Sequence, residues 1–330
     1  MTFFLLVALF AVAGTAPGGP GALGSVLWLL VIFGCVVLHE LAHCLVARPR
    51  GAVVHEIELL PIGGVSKMEQ LPEKPGDELA IAIAGPAASA GIAAVAALAA
   101  VALAVPLLPI DLFGGPFLAR LAWFNLLLAG FNLLPAFPLD GGRVFRSLLE
   151  RRLDLEQATR IAARVGRRVA IVFGVVGLFW NLWLVVIAIF VYMGASAEEA
   201  ATIVHVRTVH LRVGDVMLLD PVLVEPGATF DELHALLRRS AQRVFPVSGR
   251  GGYEGVLDAG RIAHGSPGST AAELAERDAP TLAATDGLEA CLPAVASAPA
   301  RALAVVDGPR VVGILRVEEI KHLLEQTTEA

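Results

Sequence analysis

LHELAHCLVA, residues 38–47, sets two histidines and a glutamate inside one of the most apolar stretches of the chain. Ionisable side chains at bilayer depth are expensive, roughly 2.5–3.5 kcal/mol at a helix centre on insertion scales, and are usually functional. On a helix, residues i and i+4 share a face, so His39 and His43 can both point at one ion. Glu40, beside them, can reach a water held on that ion. His-Glu-x-x-His is the mechanical pattern of a zinc hydrolase, with the glutamate as general base. The bland alternative is a chance pattern of satisfied polar residues at a helix end. It would carry weight in a soluble helix and loses most of it in an apolar one.

Composition supports a membrane setting. The 330 residues are 56% hydrophobic and 17% charged, with a mean hydropathy of +0.71, against roughly 45–50% and about 25% for soluble domains. The excess is concentrated in residues 1–194, and 195–330 read as an ordinary soluble protein. The expected organisation is a membrane domain over 1–194, a linker over 195–208 and a soluble module over 209–330. Cys35, Cys44 and Cys291 are scattered without paired spacing, so no disulfide framework is implied and a reducing compartment suits the module. Residues 194–330 carry 12 basic and 19 acidic side chains, which argues against a nucleic-acid partner.

A bilayer core takes about 20 apolar residues per helix. Spans are expected at Ser25–Ala47, Leu79–Val105 and Phe117–Leu134, with a short first span at Thr2–Gly14 and a last apolar run at Val169–Gly194. Arg48 and Arg50 follow one span and Arg143, Arg146, Arg151 and Arg152 another, so both ends are placed in the cytoplasm; Pro106–Pro116 has no Lys or Arg and is placed outside. A single crossing at Val169–Gly194 would put the soluble module outside. A hairpin folding back near Trp180–Trp183, its first limb extended through 158–168, keeps the module inside, and the hairpin is favoured.

Catalytic zinc commonly has three protein ligands and one open position. Candidates for the third are His55, Glu56 and Glu58 in the loop after the span, Asp111 in the external connection, and Asp140. Asp140 shares the cytoplasmic side with His43 and is the physical favourite. Pro135 and Pro138 break the helix before it, while Gly141 and Gly142 permit tight turns before a helix starting at Arg143. Non-helical backbone at membrane depth is tolerated where it is buried in protein or lines a watery cavity. A plain N-cap role for Asp140 is the alternative. Asn132 is a candidate oxyanion donor, with an interhelical hydrogen bond as its alternative. Val53–Met68 alternates partly; with a turn at Gly63–Gly64 it can form a hairpin whose edge pairs with an extended substrate.

HELAH, PIGGV (Pro61–Val65), AGPAASAG (Ala84–Gly91) and NLLPAFPLDGGR (Asn132–Arg143) occur in the order and spacing of site-2 proteases, and the chain resembles that family of intramembrane zinc metalloproteases over nearly its whole length. The resemblance implies zinc on His39, His43 and Asp140, with Glu40 as catalytic base. It also implies single-span membrane proteins as substrates, often anti-sigma factors or membrane-held precursors of regulators. Two departures stand out: the chain opens directly on MTFFLLVALF where the family has an amphipathic stretch, and it has Ser89 where the family often has Asn. No role is assigned to Ser89.

Residues 209–325 hold an internal repeat. Each copy has a short strand, a helix, a strand ending in Val, a turn, a Gly-Val/Ile-Leu strand and a further helix. The pattern is similar to a tandem CBS pair, with the first repeat at 209–265 and the second at 269–325. Such a pair implies an adenine nucleotide as a ligand and a homodimer through the modules. At the positions where CBS sites contact phosphate and ribose, this chain has Asp258 and Arg261 in one repeat and Arg316 and Glu319 in the other. Of these, Glu319 alone suits ribose, so a structural or dimerising role stands beside a sensing one.

The expected fold is therefore a polytopic α-helical membrane domain of five or six spans with a C-terminal α/β tandem CBS module, in the cell membrane with the module cytoplasmic. A CBS-gated transporter or channel with a metal site is the competing class. It leaves unexplained why Glu40 follows His39 directly and why Asp140 sits at a broken helix. A catalytically dead relative is opposed by the complete ligand set.

Overall fold

The computed structural model describes residues 21–51, 54–60, 63–68, 75–112 and 114–326; the short span expected at Thr2–Gly14 lies outside them. The chain divides into two compact units between Thr202 and Ile203.

The first unit is helical. Helix α1 (Gly21–Ala47) carries the HELAH segment and ends in a 3-10 turn, Arg48–Arg50. Strands β1 (Val54–Leu60) and β2 (Gly63–Met68) pair antiparallel with Leu60 opposite Gly63. Gly63 and Gly64 therefore open β2 instead of forming the turn expected of them. Helices α2 (Pro75–Ala102), α3 (Phe117–Asn132), α4 (Asp140–Leu149), α5 (Leu155–Trp180) and α6 (Leu182–Thr208) follow. Gly21–Arg50, Gly76–Ala102 and Leu182–Thr208 are each long and apolar enough to cross a bilayer.

Two residue patterns set the packing. Helix α2 buries a single stripe of mostly small residues, Ile81, Ala82, Gly85, Pro86, Ser89, Ala93, Ala96 and Ala100, spaced by three and four. Small side chains on one face let helices approach closely where hydrophobic burial does not drive association. The outward faces of α1, α5 and α6 leave large apolar side chains uncovered, among them Leu27, Leu30, Ile171, Val175 and Ile189.

Helices α5 and α6 form the favoured hairpin. Asn181 interrupts the helix in extended backbone, and its Oδ1 accepts the Trp183 backbone N–H at 3.0 Å. Beyond it the limbs run antiparallel: a Cβ on Gly174 would lie 3.6 Å from that of Ala188, and Arg167 pairs with Glu199. The first limb extends through the basic segment and is capped by Asp154, which accepts from Gln157 N at 2.8 Å. The second limb runs on to Thr208, so residues 195–208, expected as a linker, are helical. ASAEEAA is rich in good helix formers and has no breaker, which is why α6 does not stop at Gly194.

The second unit is a tandem repeat with a constant offset of 58 residues. Short helices α7 (Val213–Val216) and α10 (Ala271–Leu274) lead each copy; α8 (Phe230–Arg239) matches α11 (Leu288–Ser297). The hairpin β4 (Val244–Gly249) and β5 (Gly252–Asp258) matches β6 (Ala302–Asp307) and β7 (Arg310–Arg316). Each copy closes on a helix, α9 (Ala259–Ala263) or α12 (Val317–Gln326), and β3 (Leu218–Leu219) adds to β7. Even the register shift recurs, after Val247 in one hairpin and after Val305 in the other. Each leading helix packs into the other copy's core: Val213 lies with Leu288, Val295 and Leu315, and Ala271 with Leu233, Phe245 and Ile262. Neither repeat completes its core alone.

Candidate functional site

The site forms where α3 stops and α4 begins. Helix α4 starts at Asp140, earlier than the expected Arg143, and Gly141 and Gly142 belong to its first turn. They serve close approach in place of turning. A Cβ on Gly142 would stand 2.6 Å from the Phe137 nitrogen, and one on Gly141 would run into the Leu133 and Leu134 backbone. Without side chains there, the new helix folds straight back onto the loop that precedes it. That loop is seated by the hairpin: Phe137 is fully buried with Ala162, Ala163 and Ala195, and Pro138 fits against Gly194. Leu139 provides no side-chain cap, and the Asp140 carboxylate is turned toward α1 instead of capping its own helix.

There it meets both histidines. Asp140 Oδ2 lies 3.1 Å from His39 Nε2 and 3.2 Å from His43 Nε2, and the three donor atoms all lie within 4.8 Å of one another. Both imidazoles are buried. Their far nitrogens are held by α2: His43 Nδ1 donates to the Ile81 carbonyl at 2.7 Å, and His39 Nδ1 is 2.9 Å from Ser89 Oγ. A carbonyl oxygen only accepts, so His43 carries its proton on Nδ1 and its Nε2 lone pair is free for a ligand. Gly85, between Ile81 and Ser89, faces the two Nε2 atoms; a Cβ there would be 2.6 Å from that of His39 and closer still to that of His43. Glu40 follows His39 on α1 and is half-buried.

Other sequence candidates fall elsewhere. Asp111 is exposed and accepts the Gly114 backbone N–H at 2.8 Å. The side chains of His55, Glu56 and Glu58 lie outside the described residues. Asn132 donates to the Leu128 carbonyl of its own helix at 3.0 Å. Sequence reasoning passed over Ser89, Gly85 and the Ile81 carbonyl. Their signal was the four-residue spacing 81, 85, 89, which puts them on one face. It also counted Arg146 as one more cytoplasmic cation, whereas Arg146 is buried and pairs with Glu78 of α2 and Glu198 of α6.

Residues 27–115 and 112–174 match Peptidase family M50. The chain is 35% identical to the zinc metalloprotease MJ0392 of Methanocaldococcus jannaschii, over 72% of this chain and 69% of that one. It is 32% identical to Rip3 of Mycobacterium tuberculosis, over 96% of this chain and 86% of that one. The chain belongs to peptidase family M50, the site-2 proteases. It is a metalloendopeptidase and a multi-pass membrane protein. Among solved structures it is similar to a site-2 protease from M. jannaschii, at 35% identity and a TM-score of 0.47, over 60% of this chain and 86% of that one. Among solved structures a CBS-pair protein, CBSX2 from Arabidopsis thaliana, is similar to the chain at 19% identity and a TM-score of 0.33, over 36% of this chain and 98% of that one.

In the C-terminal repeat the positions expected to meet a nucleotide are engaged with protein. Asp258 Oδ1 caps α9, accepting from Gly260 N at 2.7 Å and Arg261 N at 3.0 Å. Arg261 pairs with Glu276 at 3.3 Å. Glu319 accepts from Arg316 Nε through both oxygens, at 3.1 and 2.9 Å.

Proposed function

We propose that this protease is an intramembrane zinc endopeptidase that cuts the transmembrane segments of single-span membrane proteins, of the kind that hold anti-sigma factors or other regulators at the membrane. His39, His43 and Asp140 are the proposed zinc ligands and Glu40 the general base. One observation carries the reading: two imidazole nitrogens and a carboxylate oxygen, from helices far apart in sequence, converge within 4.8 Å in a buried place. The donor set suits zinc, since two neutral imidazoles and one carboxylate are a common catalytic set and leave a position open.

Zinc held there supplies Lewis acidity toward the scissile carbonyl and brings the pKa of water near neutrality. Glu40 takes the proton of the attacking water and passes it to the leaving amide nitrogen. The Ile81 carbonyl keeps His43 in the tautomer that presents Nε2. Asn132, with an amide N–H beyond the one given to Leu128, is the proposed donor to the developing oxyanion. A helical substrate hides its peptide bonds, and the β1–β2 edge offers an extended segment a strand to pair with.

The CBS pair is proposed to lie in the cytoplasm, on the side to which the α5–α6 hairpin returns the chain. A dimerising or structural role is favoured over adenine-nucleotide sensing because Glu319 is already held by Arg316. The test is cleavage of a tagged single-span protein in liposomes. Wild-type protein is expected to cut it, and Glu40→Gln and Asp140→Asn proteins to leave it intact; cutting by either variant at the wild-type rate overturns the assignment. Titration of ATP against the same preparation checks the module: saturable binding below millimolar concentration would restore the sensing role.

A further inference from the structure

We infer that Gly85 and Ser89 of α2 are positioning residues for the metal: Gly85 leaves the space in which the ion stands, and Ser89 fixes the ring of His39. The inference rests on the zinc reading above and concerns residues outside the proposed ligand set. The small-residue segment AGPAASAG could be read wholly as helix packing. Its geometry is more specific.

An ideal Cβ at Gly85 would sit 2.6 Å from His39 Nε2 and 2.7 Å from His43 Cε1, and nearer still to His43 Nε2. The volume that this one methyl would fill is thus bounded by the two nitrogens proposed as ligands, and without it that volume is open to an ion shared by both. Gly91, further along the same helix, has nothing within 4 Å of its ideal Cβ; close approach is a property of position 85, not of the helix. Both flanking positions on the face act on the same two rings. Ile81, four residues before, holds His43 through its carbonyl at 2.7 Å. Ser89, four residues after and fully buried, stands 2.9 Å from His39 Nδ1. Backbone holds one ring, a hydroxyl holds the other, and the residue between them has no side chain. Outer partners of metal-bound imidazoles typically change metal affinity by 10–100-fold when removed.

The experiment measures zinc content and affinity of purified full-length protein, with Co²⁺ substitution to report the ligand field. Wild type is expected to hold one zinc per chain. Gly85→Ala is expected to fall below a tenth of that and to lose the intense visible Co²⁺ bands, while Gly91→Ala keeps both. Ser89→Ala is expected to bind zinc about 10–100-fold more weakly, and Ser89→Thr, which restores the hydroxyl, to recover. A Gly85→Ala protein that holds one zinc at wild-type affinity overturns the inference, as does a Ser89→Ala protein with unchanged affinity. If Gly85→Ala does not fold, the same change is made with His39→Ala and His43→Ala: with the rings gone folding is expected to return, and its failure to return overturns the inference. Loss of zinc from wild type would sink the metal reading itself; retention by both wild type and Gly85→Ala sinks only this inference.

Discussion

Glu78 of α2 and Arg146 of α4 form an ion pair buried on both sides, Glu78 being 7% exposed and Arg146 1%. Ser147 adds a hydroxyl to Glu78 at 2.9 Å, and Arg146 reaches Glu198 of α6 at 3.0 Å. The pair therefore ties three helices together less than two turns after Asp140. Arg146→Met keeps most of the volume and leaves three carboxylates, Glu78, Glu150 and Glu198, without their cation. Breaking one side of a buried pair costs about 3–5 kcal/mol, a loss to be read from thermal or denaturant unfolding in detergent. Adding Glu78→Gln to the same protein should restore part of it. An Arg146→Met protein as stable as wild type would show the network to be idle.

Gly142 is the second place where a methyl group decides the outcome. Its Cβ would lie 2.6 Å from the Phe137 nitrogen and 2.8 Å from the Ala136 carbonyl carbon, both backbone atoms that cannot step aside. Overpacking of this kind costs about 1–3 kcal/mol. The larger effect is on Asp140, two residues away. A displacement near 1 Å can cost about 10²-fold in rate, so Gly142→Ala should cut substrate about 10²-fold more slowly. Gly130→Ala, whose Cβ meets nothing within 4 Å, should cut normally.

Tyr253 gives the C-terminal unit a signature at high pH. Burial, with the Glu276 carboxylate nearby, pushes its phenol up to about 12. A group whose folded pKa is raised contributes stability that is complete below its unfolded pKa of about 10 and is lost as pH rises through the folded value. The window is thus pH 10 to 12. The chain has two tyrosines, so Tyr192→Phe leaves Tyr253 alone for spectrophotometric titration. A midpoint near 10 in the folded protein would contradict its burial. The hydroxyl has no hydrogen-bond partner among the described residues, and Tyr253→Phe should raise stability by about 1 kcal/mol.

Phe179, Trp180 and Trp183 project from the tip of the α5–α6 hairpin, Trp180 being 87% exposed. Tryptophans gather at the headgroup level of bilayers. Lipids brominated close to the headgroup should therefore quench Trp180 and Trp183 fluorescence more than lipids brominated at the chain ends. The reverse order would move the tip away from the interface.

Much of the fold was legible because its signals are local. The apolar runs gave the helices of the first unit, and the i, i+4 spacing of His39 and His43 put both rings on one face. The repeat in the second unit was visible because a constant offset preserves the order of strand, helix and turn. What escaped depends on contact between distant residues. Gly141 and Gly142 looked like turn formers, yet the constraint on them is the approach of Leu133, Leu134 and Phe137. Ser89 carries no mark of its partner, which lies fifty residues earlier. Arg146 looked like one more cytoplasmic cation among many; only folding reveals the carboxylates around it. The supposed linker at 195–208 was judged from the end of an apolar run, although helix formation needs no apolar run to continue.

Ile81, Gly85 and Ser89 follow one another at intervals of four. An α-helix turns about 100° per residue, so one residue inserted or deleted between Ile81 and Ser89 would swing Ser89 away from His39 while Ile81 still held His43. Over this stretch the count between the residues constrains the protein as firmly as their identity.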